Sequence, residues 1–167
     1  MKKVEMLAML RKVINDEQAT GFTEGGNLEQ PEGTQELYNY LDRAVDDYSR
    51  TMAGKNDVRL IQRMTVSAGK DLPSDFIDFC GNVPITVEGQ KMTYRGEASS
   101  YTVRYFARLP YVTSFEDGDP LPYDNDQARK IIALAAIYAL NKNEYNVAQD
   151  VQLLGLSRGT SHANATG

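Results

Sequence analysis

The sequence predicts a mainly helical α+β chain: four helices, with a small antiparallel β-sheet or hairpin inserted between the second and third. Two observations predict it. Apolar residues recur at spacings of three and four near both ends of the chain, and in the middle they switch to alternation. The resulting order is helix, helix, short strands, helix, helix, not the alternation of βαβ units. A length of 167 residues fits one domain rather than two. The expected division is a single domain over residues 1–155 and a flexible, polar C-terminal tail over 156–167.

The first helix is predicted over residues 3–15. Val4, Leu7, Leu10 and Ile14 hold helical spacing, and Met6, Met9 and Val13 widen the stripe. Core packing is the plain reading of that face, and a subunit contact is the other. Residues 16–33 read as a polar, acidic linker. The second helix is predicted to start with Thr34 as N-cap, with Gln35 and Glu36 in the electropositive first turn. Leu37, Leu41, Ala44 or Val45, Tyr48 and Met52 form its buried stripe. Gly54 is expected at the left-handed position that ends it.

In the middle, Leu60, Gln62, Met64 and Val66 alternate with Ile61, Arg63 and Thr65, a weak strand signal. Pro73-Ser74 marks a turn, after which Phe76, Ile77 and Phe79 dock. Val83, Ile85 and Val87 alternate with Pro84, Thr86 and Glu88. Glu88-Gly89-Gln90 reads as a hairpin turn, with the return over Lys91 to Arg95. Pro84 lacks an N–H, which confines its strand to an edge or a bulged start. From Tyr101 to Leu109, one face carries Tyr101, Val103, Tyr105, Ala107 and Leu109, and the other Thr102, Arg104, Phe106 and Arg108. Three or four strands are expected, with one face packed on helices. The third helix begins at Asn125, with Asp124 as N-cap and Gln127 completing a capping box. Ile131 to Leu140 is apolar almost all round, which predicts the centre of the core. A fourth helix is predicted from Glu144 to Leu154, ended by Gly155.

Composition excludes several function classes. Apolar residues at 41% and charged residues at 25% rule out collagenous and wholly disordered chains. A net charge of −5 argues against broad electrostatic attraction to DNA or an anionic membrane. The sole histidine, His162, lies in the tail, so the folded part has none for a triad, a zinc site or an imidazole base. Cys80 has no CxxC partner and no adjacent base or cation, and reads as a small buried hydrophobe. A single cysteine implies synthesis in a reducing cytoplasm. Neither GxxxxGK[ST] nor GxGxxG occurs. The start, MKKVEMLAMLRKV, mimics a signal peptide, but Glu5 and Arg11 interrupt it and no cleavage site follows. No apolar run approaches the ~20 residues that span a bilayer.

Three constellations remain. Glu116, Asp117, Asp119, Asp124 and Asp126 form an acidic cluster. Its spacing fails the helix-loop-helix calcium pattern from either Asp117 or Asp124, because the sixth position is Pro122 or Arg129. A carboxylate pair for hydrolysis would need an apolar cleft that the flanking sequence does not advertise. The plain reading is a solvated turn whose last acids cap a helix. Arg104, Phe106 and Arg108 make a basic-aromatic-basic row, read first as a protein contact and second as a nucleic-acid contact. Ten tyrosines suit surfaces buried on assembly, and suit a core equally.

From Leu72 to Leu154 the chain resembles the head-tail connector, or adaptor, proteins of tailed bacteriophages and prophages. The matching features are LPSDF, the hairpin VPITVEGQKMTYRG, the strand YTVRYFARLP, the acidic turn FEDGDPLPYDND and the helix QARKIIALAAIYALNKNEYNVAQD. The resemblance implies that residues 1–155 are a connector/adaptor domain and that the chain is a virion structural protein without enzymatic activity, cofactor or metal. It implies a homo-oligomeric ring, commonly a dodecamer, made in the host bacterial cytoplasm and placed in the virion neck below the portal. Its partners would be further copies of itself, the portal protein and a stopper or tail-completion protein. DNA would pass through its channel without sequence-specific binding, and no membrane would be involved. On this reading Arg104, Phe106 and Arg108 are the candidate subunit contact, and Leu156 and Arg158 the candidate portal contact. The other readings are a cytosolic binding or regulatory module and, further off, a carboxylate-dependent hydrolase.

Overall fold

The computed structural model describes residues 1–14 and 31–140. The predicted fourth helix and the tail with Leu156 and Arg158 lie outside the described residues. Within them, α1 spans Lys3–Val13 and α2 Pro31–Gly54. Six strands follow: β1 Ile61–Val66, β2 Lys70–Asp71, β3 Phe76–Phe79, β4 Ile85–Glu88, β5 Lys91–Tyr94 and β6 Tyr101–Ala107. The helix α3 spans Asn125–Leu140.

The expectation of four helices around one small sheet or hairpin is overturned. The described residues form three α-helices and two three-stranded antiparallel sheets, in the orders β1-β6-β3 and β2-β5-β4. The reason lies in β6, which needs cover on both faces. Phe106 points into the helical core, whereas Val103, Tyr105 and Ala107 point the other way. A lone β4–β5 hairpin would be marginal in water. With β2 added, it lays Met92, fully buried, against Met64, Val66, Val103 and Tyr105 of the first sheet. The small sheet is therefore the lid of a second hydrophobic cluster.

The main core is helical. Leu41, Ala44, Val45 and Tyr48 of α2 are fully buried against Ile131, Leu134 and Ala135 of α3. Met6 and Leu10 of α1 complete it, each contributing ~1.5–3 kcal/mol by burial. The first helix turns a narrower face inward than its sequence stripe suggested. Val4, Met9 and Val13 are exposed, and Leu7 and Ile14 only partly covered. As expected, α3 is buried on most sides, down to Gln127 and Tyr138.

Three boundaries differ from the prediction. First, α2 begins at Pro31, where the missing N–H costs nothing, so Thr34 is inside the helix. Its hydroxyl accepts a hydrogen bond from Arg11 Nη2 at 2.7 Å instead of capping. Second, the left-handed residue after α2 is Asn56 (φ 58°), not Gly54. The Asp57 N–H reaches the Met52 carbonyl and the Asn56 N–H reaches that of Ala53, which is a Schellman closure. Third, β6 ends at Ala107. The Arg108 N–H donates to the Asp75 carbonyl, and the Leu109 N–H to Ser49 Oγ on α2 at 3.1 Å.

Other local readings agree with the structure. Glu88 pairs with Lys91, leaving Gly89 (φ 62°) first in a two-residue turn where positive φ is needed. Pro84 precedes β4, which is an edge strand. Asp124 Oδ1 accepts from the Gln127 N–H at 2.8 Å, and the Asp124 N–H donates back to Gln127 Oε1 at 2.9 Å.

Candidate functional site

The predicted row Arg104, Phe106, Arg108 does not act as one surface. Phe106 is 6% exposed and belongs to the helical core. Arg108 is half-buried, with its guanidinium carbon 3.6 Å from the centre of the Tyr111 ring and its Nε 3.8 Å from Asp46 of α2. It ties the end of β6 to the helix layer. Only Arg104 is exposed. The row separates because α2 covers one end of this sheet face and stops at Gly54.

Beyond that end the sheet face is open. Strand pairing sets Arg104 directly opposite Arg63, with Thr102 opposite Thr65 in the next row. Both arginines are exposed, and the two threonine hydroxyls lie 3.3 Å apart. Like charges at directly opposed positions destabilise a strand pair. Among the described residues, no ion pair engages either guanidinium. A cleft of about 580 Å³ runs between this face and the end of α2, lined in part by Arg50, Lys55, Asp78 and Phe106. Cys80 follows β3, and its N–H donates to the Arg104 carbonyl. Burial pushes its thiol pKa up, against a smaller lowering by Arg104. Cys80 is thus a half-buried packing group, not a primed nucleophile.

The acidic cluster divides between two tasks. Asp124 and Asp126 lie 2.8 and 3.5 Å from Arg59 Nη1. The same guanidinium also grips Asp57 at 2.6 Å. The hydrogen bond from Arg59 is the largest cause lowering the Asp57 pKa, and the Gln127 N–H the largest lowering that of Asp124. This hub joins the exit of α2 to the start of α3. Glu116, Asp117 and Asp119 form a separate turn. Asp119 Oδ2 accepts from the Glu116 N–H at 3.0 Å, and Lys3 Nζ donates to the Phe115 carbonyl at 2.8 Å while lying 3.4 Å from Asp117. No three acidic, cysteine or histidine side chains among the described residues converge as metal ligands.

Five of the described tyrosines are buried, namely Tyr38, Tyr48, Tyr105, Tyr123 and Tyr138. Tyr138 donates to Asp47 at 2.6 Å and Tyr123 to the Pro110 carbonyl. Burial raises the pKa of both, and pushes Tyr48 up to about 12. The Tyr123 and Tyr138 hydroxyls are structural donors and that of Tyr48 accepts from Arg59, which favours the core reading of the tyrosine content.

Sequence reading missed Arg63 as the companion of Arg104. The alternation around Arg63 did place it on a face with Ile61 and Thr65, but pairing between strands so far apart in the chain leaves no local signal. No helix of the described residues is long and apolar enough to cross a membrane. Compared with models of protein families, with curated proteins and with solved structures, the chain matches none.

Proposed function

We propose that this chain is a structural subunit of the bacteriophage neck: a head-tail adaptor that assembles as a ring beneath the portal, extends the DNA channel and docks the next neck or tail protein. The observation that carries the reading is the ordered run from Leu72 onward. The described parts of its quoted segments fold in turn as the β4–β5 hairpin, the strand β6, a braced acidic turn and the buried helix α3. Polar groups at the candidate site support a structural role. Tyr138, Arg59 and Arg108 join one element to another, and Tyr123 braces the connection between β6 and α3. Net negative charge suits a channel wall along which DNA must slide, because neutralising phosphates would hold it.

Immunogold electron microscopy tests the reading, with antibody to the purified chain applied to particles released from the source cell. Label at the junction of head and tail is the expected result. Particles with accessible necks but no label, and the protein found only in the soluble fraction, would overturn it in favour of a cytosolic binding module.

A further inference from the structure

The Arg63–Arg104 pair, which no ion pair among the described residues engages, and the braced acidic turn stand toward opposite ends of α2. Lys3, which holds the turn, lies 4.9 Å from the centre of the Tyr38 ring near the start of α2. Phe106, two residues from Arg104 on the same face of β6, lines the cleft at Gly54, where α2 ends. Those two points are about 24 Å apart along the helix axis, at about 1.5 Å per residue. A positive socket at one end and a negative plug at the other cannot meet within one copy. They can meet between copies related by a rotation, which is the head-to-tail geometry that closes into rings.

We propose that the exposed Arg63–Arg104 face of the first sheet receives the Glu116–Asp117 turn of a second copy of this chain. The proposal rests on the ring reading above and names its subunit contact. Arginine side by side with arginine suits a carboxylate-bearing partner, because each guanidinium can donate a forked pair of hydrogen bonds to one carboxylate. The plug is preorganised. Lys3 donates to the Phe115 carbonyl, Asp119 accepts from the Glu116 N–H, and the Asp119 N–H returns to the Glu116 carbonyl. Little ordering entropy is then lost on docking. Glu116 is exposed, and the Asp117 side chain is 72% exposed despite its contact with Lys3. In the next row the Thr65 and Thr102 hydroxyls bond to each other, which leaves one O–H free to donate to the same carboxylates. Docking would also relieve the repulsion between the two arginines, which no ion pair among the described residues offsets.

The test is sedimentation velocity of the full chain at low and high salt, with two charge-reversed double variants. One carries Arg63→Glu and Arg104→Glu, the other Glu116→Lys and Asp117→Lys. The wild-type chain is expected to self-associate at low salt and to loosen as salt screens the contact. Each variant alone is expected to associate at least about tenfold more weakly. An equal mixture of the two should regain association, because the socket of each then faces a plug of opposite charge. The milder Arg63→Ser with Arg104→Ser serves if reversal disturbs folding, which the urea midpoint reports. Monomeric behaviour of the wild-type chain up to about 1 mM in low salt would overturn the contact. So would reversal without effect, or a mixture that stays as weak as its parts. Binding of single- or double-stranded DNA that the arginine reversal abolishes and the turn reversal spares would reassign the face to nucleic acid. The neck reading fails separately, by the position of the gold label: a labelled neck with unaffected variants removes only this contact.

Discussion

Replacing Phe106 by alanine separates a core residue from a contact residue. The ring is 6% exposed, sits opposite Ile61 on β1 and packs into the helical cluster. Truncating a buried phenylalanine to alanine costs ~3–5 kcal/mol, and the low end applies where the surroundings can relax. Phe106 borders the cleft beside Gly54, so water and neighbouring side chains can fill part of the void. About 3 kcal/mol is therefore expected. With a urea dependence of about 2 kcal/mol per molar, the unfolding midpoint should fall by about 1.5 M. The same assay on Arg104→Thr should move the other way. Removing one of two opposed cations relieves repulsion worth about 0.2–1 kcal/mol, so stability rises slightly at low salt. At 1 M salt, where the screening length is about 3 Å, that gain should vanish. Circular dichroism and tyrosine fluorescence, followed together, would check that unfolding is two-state. A midpoint shift below about 0.5 M for Phe106→Ala would refute the burial argument, above all if self-association were lost at the same time.

Arg59→Ala should cost about 1–2 kcal/mol, since its ion pairs are charge-assisted but partly exposed and screened. Asp57 and Asp124 have pKa values held below the ordinary 3.8, so their contribution is full above that pH and lost as pH falls through the lowered values. In urea titrations across acid pH, the variant should show a shallower loss, more through Asp57, because the Gln127 N–H still holds Asp124 down. Asn56→Ala should cost about 1 kcal/mol because alanine resists φ 58°, whereas Asn56→Gly should be nearly neutral, both read from thermal midpoints. Tyr138→Phe should cost about 1 kcal/mol by removing the donor to Asp47, with no change in fold by circular dichroism.

How much was legible from sequence follows the range of the interactions. The capping box of α3, the Gly89 turn and the edge position after Pro84 were all readable, because each is decided within four or five residues. The buried stripe of α2 was readable for the same reason, since helical spacing places Leu37, Leu41, Tyr48 and Met52 on one face whatever lies opposite. Helix ends were less so. The helix α2 started at Pro31, ahead of Thr34, and Asn56 took the left-handed position expected of Gly54, because several nearby residues could start or close the helix.

By itself, then, the sequence determined the helical course of α1, α2 and α3, the β4–β5 hairpin and the extended run of β6, and that the described residues hold no histidine. Only the tertiary structure decided that β6 is covered on both faces at its Phe106 end, that the strands divide into two sheets, and that Phe106 belongs to the core while Arg104 stays outside. It alone set Arg63 against Arg104, and the acidic turn at the far end of α2 from both. The physical reason is that alternation says which residues share a face but not what covers it. Cover comes from segments tens of residues away, and their choice depends on packing the whole chain at once.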